Sequence, residues 1–393
     1  MKKRLLFNKL KNHLKKKQIS LIVGARQTGK TTLMQQLMKE LKKDRNQIFF
    51  LTLEDPDILK ILNEHPAKLF LVIPPIDRTR QTILFIDEIQ YLDIPSNFLK
   101  YHYDKYHDKI KFIVSGSSSF YIDRKFTDSL AGRKRLFKLP TLSFEEMLIF
   151  RDRAELTPFI NKNIPPIFRD EIYALFQEYI IFGGYPEVIL EPNIEEKKYI
   201  LAEIANSYVK KDALESNLKH PNAYLALLQI YAKRIGGIVS YNNIASDFSM
   251  NHLTINAYTE LMQKCFYISL IKPFYRKLSK ELRKSPKVYF NDLGLRNHFL
   301  RNFNTLFFRE DRGNLFENYI FRRLLDKYDE MDINYWRTQN KHEVDFIIQN
   351  QKAYETKFTR EQFYPYKYHY FTDKYPNIPL NLIHYENALE TDL

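Results

Sequence analysis

Short continuous apolar runs mark the first part of the chain: Ile19 to Val23, Ile48 to Leu53, Ile83 to Ile86 and Ile110 to Val114. Each gives way to a polar or helix-periodic segment, as where Leu33, Leu37, Met38 and Leu41 follow the first run at helical spacing. Strand and helix in alternation predict a parallel α/β sheet, and a first domain is assigned to residues 1–160. Ahead of it, Leu5, Leu6, Leu10 and Leu14 are interleaved with Lys and Asn, which reads as an amphipathic helix and not as a signal-peptide core. Residues 161–221 turn helical and are broken by Phe182-Gly183-Gly184-Tyr185-Pro186, the pattern of a small helical lid. Over 222–295, three helical segments (about Leu225 to Ile230, Ser240 to Phe248 and Asn251 to Cys265) precede an extended stretch Phe266 to Tyr275, a basic linker and Val288 to Phe290. That order is the outline of a winged helix. Residues 296–393 open on a helix bearing Leu315, Phe316, Tyr319, Ile320 and Leu324, then give extended runs at Ile333 to Trp336, Val344 to Ile348 and Ala353 to Phe358, a small α/β domain.

Composition narrows the partners. With 30 Phe, 27 Tyr and 44% hydrophobic residues in 393, the chain has material for several folded cores, and disorder is excluded. Lys plus Arg number 61 against 47 Asp plus Glu, a net charge of +14 that points to a polyanion, nucleic acid first. The single cysteine, Cys265, excludes an intramolecular disulfide and a thiolate zinc site, and a cytoplasmic location is expected. No apolar run reaches the ~18 residues of a membrane span, the best, Leu69 to Ile73, stopping at Pro74 and Pro75, so no membrane partner is expected.

Glycine is scarce, 10 in all, and two of them frame Gly24-Ala25-Arg26-Gln27-Thr28-Gly29-Lys30-Thr31, a G-x-x-x-x-G-K-[ST] loop between a strand and a helix. Backbone N–H groups of such a loop, from Gly24, Ala25, Arg26, Gln27, Thr28 and Gly29 into Lys30, Thr31 and Thr32, cradle the phosphates of ATP. Lys30 would reach the β and γ phosphates and the Thr31 hydroxyl would ligate Mg²⁺. The strand Ile83 to Ile86 ends in Asp87-Glu88: Asp87 would complete the Mg²⁺ shell and Glu88 would orient or deprotonate the attacking water. The run Lys111 to Val114 enters the hydroxyl-rich turn Ser115-Gly116-Ser117-Ser118-Ser119, where Ser117, with Ser115 as its substitute, would stand near the γ phosphate. Arg133, in Leu130-Ala131-Gly132-Arg133, is the candidate guanidinium for charge developing on the transferred phosphoryl group, acting within one subunit or across a homo-oligomer.

Two further constellations lie downstream. Asn251, Thr254, Asn256, Tyr258, Gln263 and Lys264 in the winged-helix stretch, with Lys272, Arg276, Lys277, Lys280, Arg283, Lys284 and Lys287 after it, offer groups for the bases and phosphates of double-stranded DNA. On strands, alternation puts Asp345 on one face with Glu343, and Glu355 with Lys357. Two acids and a lysine would converge, and a divalent cation joining Asp345 and Glu355 could activate water for phosphodiester attack, with Lys357 stabilising the developing charge. This D…ExK spacing resembles the PD-(D/E)XK nuclease signature, whose helix carboxylate would be Glu317; Asn314-x-x-Glu317 also reads as a capping box.

Taken together, Gly24 to Leu33, Phe85-Ile86-Asp87-Glu88-Ile89-Gln90, Ser115-Gly116-Ser117-Ser118, Leu130-Ala131-Gly132-Arg133, Gly183-Gly184-Tyr185-Pro186-Glu187 and Lys284 to Leu295 resemble a family of prokaryotic AAA-type P-loop ATPases with a C-terminal domain of uncharacterised function. The resemblance implies an α/β P-loop NTPase core of AAA type with a parallel sheet, a helical lid, a winged helix and a small nuclease-like α/β domain. It also implies that the Gly-x-Pro turn, through Pro186, contacts the nucleotide base. The chain departs from the family where a proline is common early in the phosphate loop and a threonine opens the hydroxyl-rich turn, and neither change removes a phosphate ligand. The reading is a Mg²⁺-dependent ATPase coupled to DNA binding. Its alternatives are a slow nucleotide-gated switch that holds a protein partner and an ATP-regulated metal-dependent endonuclease.

Overall fold

Three of the four apolar runs of the first part form wholly buried strands, continuous because both faces of the sheet are covered there, and the fourth, Gln47–Thr52, is a half-buried edge. In the computed structural model, which describes residues 2–42, 46–77, 80–116, 130–209, 216, 218–274 and 285–393, they are β1 (Ile19–Val23), β2 (Gln47–Thr52), β3 (Thr82–Asp87) and β4 (Ile110–Gly116). With β5 (Lys134–Lys138) they build a parallel sheet of order β2-β3-β4-β1-β5. Alternate residues feed two cores. Leu21, Val23, Leu84, Ile86, Phe112 and Val114 face one side. Ile22, Ile83, Phe85 and Ile113 face the other, with Leu33, Met34 and Leu37 of the helix Lys30–Leu41 and with Phe7 and Leu10 of the helix Leu6–His13. Strand β5, in a stretch to which the sequence assigned no element, is an edge strand in which only Phe137 is buried.

This unit comprises Met1–Pro140 with Lys264–Phe266; the second comprises Thr141–Gln263 with Tyr267–Leu393. The helix Phe144–Phe150 packs with the second unit: Phe144, Met147 and Leu148 are buried in its core with Phe176, Tyr319 and Phe346.

The second unit is built on a mixed sheet of order β11-β10-β9-β8-β6-β7, with β6 Ile268–Pro273, β7 Lys287–Phe290, β8 Ile333–Arg337, β9 Glu343–Ile348, β10 Lys352–Lys357 and β11 Leu380–His384. Helices Pro221–Lys233, Tyr241–Asp247 and His252–Lys264 precede the antiparallel pair β6–β7, the order read from the sequence. That ribbon does not stand apart from the C-terminal strands: β6 pairs in parallel with β8 through Lys272↔Asn334 and Pro273↔Tyr335, so a boundary at 295 cuts through one sheet. Helices Pro166–Phe182 and Arg312–Leu324 cover one face through Phe176, Phe316, Tyr319 and Ile320. Phe371 and Tyr375 cover Trp336, Val344 and Ile347 on the other.

Two motifs of the second unit interlock. The Asp292 carboxylate accepts from the Gly184 amide (2.8 Å) and from the Leu295 amide (2.9 Å), which caps the helix Leu293–Phe299. A Cβ on Gly294 would stand 1.9 Å from the Phe182 carbonyl oxygen. Burial raises the Asp292 carboxyl above its ordinary range, against the pull of the Gly184 and Leu295 amides.

Candidate functional site

In the first unit the chemistry gathers where the parallel strands end, the edge at which open α/β sheets bind ligands. Register Ile22↔Ser115 and Ile86↔Val114 brings the ends of β1, β3 and β4 level. Beyond β1, Gly29 takes φ +90° to start the helix Lys30–Leu41, a conformation that costs a side-chain-bearing residue energy. No heavy atom of the described residues lies within 4 Å of where its Cβ would be, and the positive φ alone favours glycine at the position. Within the loop the Lys30 ammonium donates to the Gly24 (3.0 Å) and Ala25 (2.9 Å) carbonyls, and the Thr28 hydroxyl to Ala25 (2.9 Å). Arg4 ties the Thr28 carbonyl (2.7 Å) to that of Pro140 (2.8 Å). Arg26 is buried, while Gln27 and Thr32 are exposed.

Across the loop, the Thr31 hydroxyl donates to Asp87 Oδ2 at 2.6 Å, and the Ser115 hydroxyl donates to Asp87 Oδ1. Ser115 in turn accepts from the Glu88 amide (3.1 Å). Glu88 sits at φ +56° beyond the strand, with its carboxylate against the Gln90 side-chain amide. Lys30, Thr31, Asp87 and Glu88 are thus brought together as expected, and the set fits a nucleotide phosphate with Mg²⁺. A flexible ammonium now held by two neutral carbonyls binds a phosphate oxygen more strongly, and a hydroxyl beside a carboxylate is the donor pair that Mg²⁺ takes. Ser117 lies outside the described residues. Ser115, weighed second to it, supports Asp87 and Glu88.

Arg133 is not brought to this edge. Its carbonyl accepts from the Ile19 amide (2.8 Å), which places it at the opening end of β1, and its guanidinium pairs with Asp104 (2.7 Å). An action on the phosphates of its own subunit is thereby corrected: the loop follows the other end of the same strand. Pro186 belongs to the second unit, as the first residue of the helix Pro186–Leu190.

The second unit gathers its acids about one lysine. Lys287, the first residue of β7 and 1% exposed, places its ammonium 2.6 Å from Glu343, 3.2 Å from Glu317 and 3.4 Å from Asp345. Its expected place in an exposed basic wing is overturned, because the β6–β7 ribbon is a buried edge of the sheet. Arg276, Lys277, Lys280, Arg283 and Lys284 lie outside the described residues; Lys272 is exposed. Tyr258 is also withdrawn from a DNA-facing set, being 4% exposed with its hydroxyl accepting from the His220 amide.

Each acid has its own support. Asp345 accepts from the Thr356 amide (2.9 Å) and hydroxyl (2.7 Å), Glu343 from Arg337 (2.9 Å) and Glu317 from the Tyr289 hydroxyl (2.5 Å). The helix holding Glu317 starts at Arg312, and Asn314 donates to the Ile235 carbonyl, so the Asn314–Glu317 capping box does not form. Glu355 Oε1 accepts from Lys357 and from Tyr368 (2.7 Å), while its Oε2 is buried with no partner among the described residues. Burial first, and the Asp345 charge second, push the Glu317 carboxyl up to about 7 and the Glu355 carboxyl up to about 8. Asp345 stays below its ordinary range: burial opposes, and Lys287 with Lys357 outweighs it. Asp345, Glu355, Glu317 and Lys357 therefore cluster as expected. Glu343 and Lys287 join them, signalled in sequence only by Glu343 standing two residues from Asp345 on a strand. Among the described residues no group of three or more His, Cys, Asp or Glu side chains is arranged to hold a metal ion.

Comparison with known proteins agrees with the first unit's chemistry. Residues 16–148 match an AAA domain, and residues 173–306 and 312–373 match two domains of unknown function, DUF8612 and DUF4143. An uncharacterized protein of Methanocaldococcus jannaschii, MJ1544, is 27% identical over 84% of this chain and 72% of its own length. The uncharacterized protein Rv2008c of Mycobacterium tuberculosis is 21% identical over 87% of this chain and 70% of its own. Among solved structures, AMPPCP-bound DnaA from Aquifex aeolicus is similar over 66% of this chain and 87% of that one (18% identity, TM-score 0.31), and Cdc6p from Pyrobaculum aerophilum over 74% and 90% (11% identity, TM-score 0.30). The core is an α/β P-loop fold of AAA type with a nucleotide site, followed by domains of unknown function. No helix among the described residues is long and apolar enough to cross a membrane.

Proposed function

We propose that the protein hydrolyses ATP with Mg²⁺ and couples the hydrolysis to binding of double-stranded DNA. The observation that carries the ATPase reading is the Thr31–Asp87 contact of 2.6 Å with Ser115 on the second Asp87 oxygen: two groups for a Mg²⁺ shell, fixed at the end of the strand that also delivers Glu88. In this reading, Lys30 and the loop amides bind the phosphates and Thr31 and Asp87 hold the metal. Bound Mg²⁺ neutralises phosphate charge. Glu88, set off the strand by its left-handed backbone, takes the proton of the attacking water. Supporting the DNA arm are the net charge of +14 and the winged-helix order of three helices and an antiparallel ribbon. Exposed Asn251 and Lys272 remain on that stretch for contacts.

The test is steady-state ATP hydrolysis with and without double-stranded DNA, with Lys30→Ala as the blank. Stimulation by DNA that disappears in the variant and weakens with salt is expected. Slow turnover indifferent to DNA would instead favour the second reading, a nucleotide-gated switch for a protein partner, in line with the burial of Tyr258 and Lys287.

A further inference from the structure

The acid cleft of the second unit has the residues of a metal-dependent nuclease and no room for the metal's charge. We propose that Lys287 is the resident cation of this acid cluster, standing in the place of a divalent metal, so that the C-terminal sheet holds no metal there.

Geometry carries this. The ammonium lies within ion-pair distance of three carboxylates, 2.6 Å from Glu343, 3.2 Å from Glu317 and 3.4 Å from Asp345. An ammonium has three N–H donors, and three carboxylates surround it. Asp345, the acid a metal would need, is taken up on both oxygens, by Lys287 on Oδ1 and by Thr356 on Oδ2. Of the Asp345 and Glu355 oxygens, only Glu355 Oε2 is left open, and Mg²⁺ demands a near-octahedral shell that one carboxylate oxygen does not anchor.

Lys287 is held where it is by its strand. It pairs with Ile271 of β6 on one side and bridges Ile238 on the other. The Gly236 amide donates to the Val288 carbonyl (2.9 Å) and the Val239 amide to the Pro286 carbonyl (2.8 Å), so backbone on both flanks fixes the start of β7. Gly236 also shapes the cleft, since a Cβ there would stand 2.8 Å from Glu317 Oε1. These pairs fix the backbone from which the ammonium reaches the acids, and a second cation beside it would meet its repulsion in a buried setting where charge is poorly screened.

The experiment is a Mn²⁺ titration of nucleotide-free, full-length protein, read by the electron paramagnetic resonance of free Mn²⁺. All samples carry Asp87→Asn, which silences the P-loop carboxylate. The parent should take up no stoichiometric Mn²⁺, and adding Lys287→Met should create one site per chain, at least about tenfold tighter than any in the parent and lost again with Asp345→Asn. Stoichiometric Mn²⁺ uptake by the parent that Asp345→Asn abolishes would overturn the proposal. So would a folded Lys287→Met protein that gains no site. Should Lys287→Met not fold, the parent and its Asp345→Asn partner decide the matter alone.

Discussion

The Asp292 carboxylate binds the Gly184 amide at 2.8 Å and thereby fastens the turn after the helix Pro166–Phe182 to the start of the helix Leu293–Phe299, 108 residues further on. Close approach of the backbones makes the joint tight, because Gly294 lies under the Phe182 carbonyl with no space for a methyl group.

Gly294→Ala is accordingly expected to destabilise the second unit by about 2–3 kcal/mol, since the obstructing atom is backbone and cannot swing aside. Gly313→Ala, where no atom lies within 4 Å of the added carbon, is the control and should be nearly neutral. Urea unfolding followed by tryptophan fluorescence reports on this unit, because Trp336 is buried in its sheet. Equal midpoints for the two variants would show that the joint yields.

Ser115→Ala tests the support beneath the P-loop acids. It removes the hydroxyl that donates to Asp87 and accepts from the Glu88 amide while leaving the phosphate loop untouched. The expected result is a kcat lowered about tenfold with nucleotide affinity nearly unchanged, the signature of a positioning residue. Fluorescent-nucleotide binding beside steady-state turnover separates the two, and a loss of affinity equal to the loss of rate would contradict the assignment.

The P-loop was legible because its signals are local: a strand, a glycine that must take φ +90°, a lysine and a hydroxyl lie in one short segment. Asp87 was legible as the polar end of an apolar run. The edge strand β5 was not, since Lys134, Arg135 and Lys138 leave no continuous apolar run there and the strand forms by its parallel register with β1. Lys287 shows the limit most plainly. Its neighbours in sequence are basic, and nothing local reveals that β7 turns it toward Glu317 on a distant helix and Asp345 on another strand; sequence displays charge, and burial depends on tertiary pairing. Strand β11, Leu380–His384, lies in a region where no element was assigned, and it forms by parallel pairing with β10.

Arg133 makes a prediction about assembly. It stands at the opening end of β1, paired with Asp104 and at the other end of that strand from the phosphate loop, so a catalytic contribution is expected to go to another copy. Activity per subunit should then rise with protein concentration, and Arg133→Ala should flatten that rise without changing turnover at high dilution. Mixing Arg133→Ala with Lys30→Ala, each impaired alone, should restore part of the rate. A fall in the dilute rate of Arg133→Ala would sink the argument.

The acid cleft predicts how stability follows pH. Glu317 and Glu355 lie on the helix Arg312–Leu324 and on β10, facing Lys287 and Tyr289 from β7, Glu343 and Asp345 from β9, Lys357 from β10 and the Tyr368 hydroxyl. Burial, then Asp345, raises the two carboxyls from 4.5 to about 7 and about 8. The folded state therefore holds protons that the unfolded chain has released. Below 4.5 both states are protonated and the pair adds no pH dependence; as pH rises from there through 7 to 8, each ionisation is resisted by the fold and stability falls. Asp345, held below its ordinary value, gives the opposite slope, confined to the acid side of 3.8. Glu355→Gln keeps the shape and removes one of the two titrations, so it should flatten the decline and make the protein more stable than wild type by about 1–2 kcal/mol near pH 8.5. Denaturant midpoints at three pH values across this window check it. A slope identical to wild type would mean that Glu355 is ionised in the fold at neutral pH, with Lys357 alone sufficient to hold its charge.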